Sequence, residues 1–103
     1  MDVKPSIEYA AWRQHLEASL QPIVDTAAAL GIAAGKHVVK VRFIVEKDGS
    51  ITNVKVIEDP GYGLGKGAEQ IILSSPKWTP AKKNGKKVRS FYIQPIGFVI
   101  EEE

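Results

Sequence analysis

The most constraining feature of the sequence is a β-rich stretch from Val38 to Asp59 that turns back on itself at Asp48-Gly49. Asp-Gly between two such runs is a strong signal for a hairpin with a two-residue type I′ turn. The pairs that follow are Phe43 with Val54, Val41 with Val56, and Val45 with Thr52. These side chains share one largely apolar face, and a slip of one residue would break it. The sequence therefore predicts a hairpin with one buried face. On the other face Arg42 opposes Lys55, a like-charge pair that indicates solvent or a nearby acid.

Helical periodicity precedes the hairpin. Apolar residues recur over residues 7–20 at the spacing of one helix face, and Ser6 is the candidate N-cap. Pro22 interrupts this segment, because proline removes a helix hydrogen bond and clashes with the preceding turn. Pro22 suits the first turn of a second helix, which Gly31 would end. The sequence thus predicts two helices before the first strand.

A third helix and a last strand follow the hairpin. The helix has apolar residues at Leu64, Ala68, Ile71 and Ile72. This spacing is typical of a helix that packs on a sheet, and Pro76 ends it. Trp78 comes next and is predicted to pack beneath the helix in the core. The last strand spans residues 88–100, has apolar residues on both faces, and contains Pro95, which favours a sheet edge.

The predicted fold class is α+β, with the order helix, helix, strand, strand, helix, strand. A helix between the second and third strands favours a parallel relation of these two. A split β-α-β arrangement with the first strand in the middle satisfies this relation. It gives a three-stranded antiparallel or mixed sheet with the helices on one face and the last strand as an exposed edge. We expect residues 1–21 to form an N-terminal helical extension and residues 22–103 a single globular domain.

Composition excludes several kinds of site. The 103 residues include no cysteine, which excludes disulfides, thiolate zinc sites and cysteine nucleophiles. The formal net charge of +2 is too small to indicate nucleic acid by itself. No apolar run approaches the roughly 20 residues that a membrane helix needs, and the first residues lack the apolar centre of a signal peptide. We expect the chain to be part of a longer protein if it works outside the cytoplasm.

The residues do not suggest a catalytic or metal-binding site. His15 and His37 lie on separate predicted elements without a partner at metal-ligand spacing, which is typical of surface or half-buried histidines. Glu58-Asp59 ends a strand and is predicted to be solvated. The glycines of residues 61–67 lack the spacing of a dinucleotide-binding loop, and no Lys-Ser/Thr follows them. We predict a protein that is not an enzyme and uses no metal or cofactor.

A basic run without acids precedes and enters the last strand. It comprises Lys77, Lys82, Lys83, Lys86, Lys87 and Arg89. A solvated loop is one interpretation, and a rim that steers an acidic partner towards the adjacent edge strand is a second. Nucleic-acid binding is a third, and it is weakened because no aromatic residues are interleaved with the lysines. We expect no nucleic-acid partner.

The ordered set of motifs resembles the C-terminal domain of the TonB energy-transducer family, in its Bacteroidetes-like form. The similarity runs from Pro22 to about Ile100. Its specific parts are VRFIVEKDGSITNVKVI, then PKWTPAKKNGKKV with Trp78 and Pro80, and the closing PIGF. The Asp-Gly hairpin alone would not distinguish this family, whereas the ordered set does.

The resemblance implies a periplasmic module that a proline-rich linker attaches to one helix in the inner membrane, where motor proteins use the proton gradient. In this family the domain binds the TonB box of a TonB-dependent outer-membrane receptor as an added β-strand. An exposed edge offers unpaired N–H and C=O groups for such an addition. The candidate docking strand consists of Val88, Arg89, Ser90, Phe91, Tyr92, Ile93 and Gln94, and the candidate steering rim of Lys82, Lys83, Lys86 and Lys87.

Two departures from the family pattern bear on receptor affinity. Gln21-Pro22 stands where the family often has Tyr-Pro, and the glycine-rich residues 61–67 are looser than usual. An alternative function keeps the fold and makes it an interaction or scaffolding domain of another envelope protein, such as a membrane-anchored sensor peptidase. The exposed edge could also pair two copies into a homodimer.

Overall fold

Residues 2–102 are described by a computed structural model in which helices flank one face of a small sheet. The elements are α1 (Tyr9–Ala29), β1 (Gly35–Val45), β2 (Ile51–Glu58), α2 (Leu64–Leu73), β3 (Ala81–Lys83), β4 (Lys86–Val88) and β5 (Ser90–Ile100). The sheet has the order β2-β1-β5, and β1 is antiparallel to both neighbours. This confirms the α+β class, the first strand in the middle and the parallel relation of the strands that α2 connects.

The two predicted N-terminal helices are one continuous helix, α1, with Pro22 inside it. A proline inside a helix removes one backbone hydrogen bond and costs about 3 kcal/mol. Burial offsets this loss, because apolar side chains on both sides of Pro22 pack on the same core. They are Leu16 and Leu20 before the proline, and Ile23, Val24 and Ala27 after it. The expected boundary between residues 21 and 22 therefore falls within a helix.

The residues before α1 are extended rather than helical. Glu8 is the N-cap in place of the predicted Ser6, and its carboxylate accepts hydrogen bonds from two N–H groups of the first turn. Ser6 pairs instead with Thr79, through Ser6 N–H to Thr79 O at 3.0 Å and the reverse bond at 2.6 Å. Val3 and Lys82 form a second reciprocal pair at 2.8 and 2.9 Å. Residues 3–6 thus lie antiparallel to residues 79–82, joined to them by two isolated bridges.

The loop between β1 and β2 has three residues rather than the predicted two. Glu46 N–H donates to Ser50 O, and Gly49 N–H donates to Glu46 O, both at 2.9 Å. Gly49 has a φ of +87°, as the last residue of a three-residue hairpin loop commonly does. The turn also contacts Trp78, whose N–H donates to Gly49 O at 3.0 Å. A Cβ at residue 49 would collide with the carbonyl oxygen of Trp78, so this position requires glycine.

The longer loop changes the hairpin register near the turn. Val45 faces Ile51 instead of the predicted Thr52. Asn53, with a φ of +51°, lies at a bulge that restores the predicted register, so that Val41 faces Val56. The like-charge pair Arg42–Lys55, next to the bulge, also forms as predicted. The slip at the loop ends at this bulge, and a second register shift at the far end of the hairpin pairs Lys40 with Glu58.

Trp78 lies at the centre of an aromatic cluster beneath the helices, as the sequence predicted. Its ring centroid is 5.1 Å from that of Phe43, 5.4 Å from that of Tyr92 and 5.9 Å from that of Trp12. Phe43 is fully buried and lies at the register shift, without the predicted ladder pairing to Val54. Aromatic pairs at such distances add to the stabilisation from buried area alone. The cluster joins α1, β1, β5 and the segment after α2.

α2 buries the predicted apolar positions, Leu64, Ala68, Ile71 and Ile72. Asp59 is exposed, as predicted, and it also accepts hydrogen bonds from Gly61 N–H at 2.8 Å and Gly65 N–H at 3.0 Å, which fix the start of this helix. Gly67 allows close approach of α1, because a Cβ there would meet the Ile23 side chain at 2.6 Å. Gly65 and Gly67 therefore allow close packing of α2 against Asp59 and against α1.

β3 and β4 form a hairpin where the sequence predicts a loop. Asn84 and Gly85, the predicted turn, have φ values of +52° and +79°, as a two-residue type I′ turn requires. Val88 belongs to β4 and pairs with Ala81. The last strand therefore begins at Ser90, two positions after the predicted start at Val88.

Candidate functional site

β5 is an edge strand, as the sequence predicted. It pairs with β1 along its whole length, and no residue within 2–102 pairs with its other side. Such an edge presents N–H and C=O groups to which another chain can add. Pro95, in the middle of β5, has no N–H, and Gln94 Nε2 donates to its carbonyl oxygen at 2.8 Å. The edge thus has two stretches of unpaired backbone to which another chain can add, one before Pro95 and one after it.

Alternate side chains of β5 have opposite environments. Those at even positions from Tyr92 onwards face the helices, and Ile96, Phe98 and Ile100 are buried. Those at odd positions, including Phe91 and Ile93, are exposed on the opposite face. The apolar residues on both faces of this strand predict that one face meets the core and the other meets a helix or a partner. The core face is confirmed, and no described element covers the other.

The structure divides the predicted docking residues between two strands. Residues 90–94 lie together at the beginning of β5, whereas Val88 lies in β4 and Arg89 connects the two strands. The hydroxyl oxygen of Ser90 is buried and has no hydrogen-bond partner among the described residues. The backbone groups of residues 90–94 therefore belong to the β5 edge, whereas those of Val88 belong to the β3–β4 hairpin.

The Arg89 side chain binds Glu46, the residue that follows β1. Its Nε donates to Glu46 Oε1 at 2.9 Å and its Nη2 donates to Oε2 at 3.1 Å, a two-point contact that favours arginine over lysine. The hydrogen bond from Arg89, and then that from Thr52, lowers the pKa of Glu46. The same contact with Glu46 raises the pKa of Arg89. Arg89 therefore links β5 to the hairpin loop of β1 and β2.

The candidate steering rim lies on the β3–β4 hairpin, and its lysines alternate between the two faces of that hairpin. Lys82 pairs with Lys87 and Lys83 with Lys86 across the β3–β4 hairpin, and all four side chains are exposed. Like charges in directly opposed positions destabilise a hairpin, so these lysines are not explained by hairpin stability. They lie at the end of the sheet where β5 begins.

Residues 2–5 border the first half of the β5 edge. A cleft of about 350 Å³ is lined by Lys4 and Pro5 on one side and by Phe91 and Ile93 on the other. Pro5 is buried, so this segment is packed against the domain. No backbone hydrogen bond connects residues 2–6 to β5. The sequence does not predict this neighbour, because no local pattern in residues 2–6 signals a distant pairing.

A groove borders the second half of the edge. It has a volume of about 520 Å³ and lies between the second half of α1 and the end of β5. Its lining includes Leu20, Gln21, Val24, Asp25, Ala28 and residues 97–102. The sequence does not predict the groove, because Pro22 predicts a break between two helices at this point. The continuous helix places these side chains beside β5.

The two histidines have structural hydrogen bonds. His15 Nε2 donates to Ile71 O at 2.8 Å and connects α1 to the end of α2. His37 Nε2 donates to Ala33 O, also at 2.8 Å, and both rings are half-buried as predicted. Among residues 2–102, no group of His, Cys, Asp and Glu side chains is arranged to hold a metal ion. In the same range, no helix combines the length and the apolar character needed to cross a membrane.

Comparison with protein families identifies the group to which this fold belongs. The family model described as "Gram-negative bacterial TonB protein C-terminal" matches residues 26–100. The matched range takes in the three-stranded sheet, α2 and the lysine-bearing hairpin. No curated protein matches the sequence. Since the match covers well over half of the chain and agrees with the resemblance in the motifs, the chain belongs to the TonB C-terminal domain family.

Proposed function

We propose that this domain is the periplasmic receptor-binding domain of a TonB-like energy transducer. It docks the TonB box of an outer-membrane transporter as a fourth strand on the β5 edge. In the full-length protein the domain is attached to the inner membrane, where motor proteins supply the energy of the proton gradient. The family membership supports this role in general terms, and the edge supports the mode of docking.

The observation that carries the proposal is the free side of β5. The strand has eleven residues, all of them paired to β1, and its other side is unpaired by any described residue. Proteins usually block such edges with charges, bulges or covering segments. Here Pro95 and the neighbouring residues 2–5 restrict the edge without pairing to it. An edge left open along most of its length favours strand addition.

Strand addition suits a module that transmits force. Backbone hydrogen bonds accept many peptide sequences, whereas the side chains at alternate positions select among them. On one side of the added strand, these side chains would lie near Phe91 and Ile93. On the other side, they would enter the groove between α1 and residues 97–102. A pull along the chain loads several hydrogen bonds together, so the function requires no catalytic residue.

The lysines of the β3–β4 hairpin contribute to association rather than to the bound state. Exposed charges at the edge of a contact mainly raise the association rate, and salt screens them over about 8 Å at physiological ionic strength. Their place at the beginning of β5 would steer an acidic peptide segment to that end of the strand. We expect salt to slow association more than it speeds dissociation.

The test is a titration of isotope-labelled domain with a synthetic TonB-box peptide, followed by amide shifts. We expect shifts along residues 90–100, with the largest on one side of Pro95. Two N-methylated forms of the peptide sharpen the test, because successive amides of a strand point to opposite sides. Methyl groups on the amides that face β5 should weaken binding at least ten-fold, and those on the other amides should not.

Three results would refute the proposal. One is a set of amide shifts that leaves β5 unmoved, and another is equal binding of both methylated peptides. The third is a lack of binding by the unmodified peptide. Sedimentation of the free domain over a range of concentrations serves as the control, because self-pairing through β5 would compete with the peptide. A homodimer at the working concentration would be dissociated by the peptide if both use this edge.

A further inference from the structure

The sheet face opposite the helices carries a row of exposed apolar side chains. Phe91, Ile93 and Val99 on β5 are 66%, 47% and 60% exposed, and Val38 on β1 is 38% exposed. All four occupy the alternate positions that point away from the core. Single exposed apolar residues are ordinary, whereas a contiguous group on one face marks a contact surface. These four residues are called the open-face row below.

Basic side chains border the open-face row. Lys36, Lys40, Arg42 and Lys55 occupy positions of β1 and β2 on the same face. The two carboxylates of this face are already engaged, Glu46 with Arg89 at 2.9 Å and Glu58 with Lys40 at 3.4 Å. No carboxylate within residues 2–102 forms an ion pair with Lys36, Arg42 or Lys55. The face is therefore apolar with an excess of positive charge.

One end of the row has a formed recess. The Arg42 guanidinium carbon lies 5.5 Å from the centroid of the Phe91 ring, a cation–π contact that orients the ring. Next to the ring is a recess of about 240 Å³ lined by Phe91, Ile44, Arg89 and Ser90. Ile44 is only 5% exposed although it points to this face. An apolar side chain of a partner can enter the recess and contact Ile44.

Charge decides against a second copy of this chain as the occupant. Two such faces packed together would bring into contact two surfaces with the same excess of positive charge, from Lys36, Arg42 and Lys55 of each copy. Juxtaposed like charges at an interface strongly disfavour association. An acidic partner would neutralise these residues and cover the apolar row in the same contact.

The geometry of the sheet indicates the form of the partner. A segment that lies on a sheet face cannot pair with the strands beneath it, so it must satisfy its own N–H and C=O groups. An amphipathic helix does so and presents an apolar stripe between polar flanks. Phe91 and Val99 are eight positions apart, which corresponds to about 27 Å along a strand. A helix of about 18 residues has this length.

We propose that the open face of the sheet binds an acidic amphipathic helix of a partner protein. The apolar stripe of that helix covers the open-face row, and its acidic flanks contact the cations of β1 and β2. The bound helix forms a third layer, on the side of the sheet opposite α1 and α2. This surface is the face of the sheet and not its edge, so binding of the helix does not require strand addition at β5, although Phe91 and Ile93 border both surfaces.

The probes are two synthetic helical peptides of about 18 residues with the same leucine stripe. One has glutamate flanks and the other has lysine flanks, and circular dichroism verifies that both are helical. We expect the glutamate peptide to shift the amides of the open-face row and to bind at least ten-fold more tightly than the lysine peptide. Equal affinities, shifts confined to another surface, or no saturation by about 1 mM peptide would overturn the proposal.

Matched variants locate the contact. The double change Phe91→Ser and Ile93→Ser should weaken binding of the glutamate peptide at least ten-fold. Leu73 is 53% exposed on α2, and Leu73→Ser should leave this binding unchanged. Lys36→Glu with Lys55→Glu leaves the apolar row intact and should reverse the preference between the two peptides. This charge-reversal pair keeps the test decisive if the serine variant does not fold.

A last arm separates a helix from a lipid surface, which would also combine apolar contact with negative charge. Vesicles of phosphatidylglycerol, and of phosphatidylcholine as the neutral control, replace the peptides in the titration. We expect neither to shift the amides of the open-face row. A response of this row to anionic vesicles together with no response to the glutamate peptide would refute the proposal and assign the face to lipid.

Discussion

β1 and β5 have the same length and pair with each other at every position, yet they have different roles in the molecule. β1 has a strand on each side, and its residues Val39, Val41, Phe43 and Val45 are fully buried. β5 has a strand on one side only, and the side chains on one of its faces are exposed. The central strand closes the core, whereas the edge strand leaves backbone groups on one side unpaired and side chains on one face exposed.

This contrast shows that the apolar content of a strand does not by itself distinguish a central strand from an edge strand. Both sequences are rich in valine, isoleucine and phenylalanine. Place in the strand order decides which backbone groups remain unpaired, and the position of the helices decides which face is covered. The predictions below compare residues at matched places in the two strands and in their adjoining loops.

The largest expected difference is between Phe43 in β1 and Ile93 in β5. Phe43→Ala empties a site in contact with Trp78 and Tyr92 and should lower the free energy of unfolding by about 3–5 kcal/mol. Ile93→Ala removes a half-exposed side chain and should lower it by less than about 1 kcal/mol. Urea unfolding measures both values. Similar losses for the two variants would contradict the division into scaffold and contact strand.

A second comparison concerns the glycines of the two hairpin turns. Gly49→Ala should lower the free energy of unfolding by about 2 kcal/mol or more, because alanine is strained at a positive φ and its Cβ would meet the Trp78 carbonyl. Gly85→Ala has the same type of backbone strain, but its surroundings are open. Gly85→Ala should lower the free energy of unfolding by about 1 kcal/mol. Thermal and urea unfolding of both variants isolate the contact of the β1–β2 turn with Trp78.

The ion pair between Glu46 and Arg89 connects the end of β1 with the beginning of β5, and its effect should depend on pH. Since the pKa of Glu46 is lowered in the folded protein, mainly by the hydrogen bond from Arg89, the unfolded chain binds the proton more readily. The stabilisation is therefore complete above the ordinary pKa of 4.5. It disappears as pH falls through the lower folded value.

Glu46→Gln should consequently reduce stability at pH 7 and have a diminishing effect as the pH is lowered below about 4.5. Arg89→Gln should remove most of the same pH dependence, because it removes the first cause of the shift. Urea midpoints of the three proteins between pH 7 and pH 3 provide the measurement. A difference between wild type and Glu46→Gln that is constant over this range would show that the contact is not ionic.

The smallest expected effect is at the first residue of β5. Ser90→Ala removes a buried hydroxyl without a hydrogen-bond partner among the described residues, so stability should stay the same or rise by up to about 1 kcal/mol. Ser75→Ala is the matched control, since its hydroxyl accepts from Trp78 Nε1 at 3.2 Å and donates to Ile72 O at 2.8 Å. That change should lower stability by about 1 kcal/mol. A larger loss at Ser90 than at Ser75 would place Ser90 in the scaffold.

Local patterns were sufficient for the elements whose contacts are close in sequence or periodic. The apolar spacing of α2, the burial of Trp78 and the pairing of Val41 with Val56 all follow from residue type and period. So does the exposed edge at β5, because the connection through a helix restricts the strand order. The family resemblance depended on the same motifs and is confirmed.

The sequence by itself determined the strand order, the buried face of the hairpin and the family, because periodic burial and turn residues act locally. Tertiary packing alone decided that α1 continues through Pro22 and that residues 3–6 pair with residues 79–82. It also required the longer β1–β2 turn against Trp78. Each outcome depends on burial or hydrogen bonds between residues distant in sequence, which outweigh local preference. The surroundings of the β5 edge therefore result from contacts between residues that are distant in sequence.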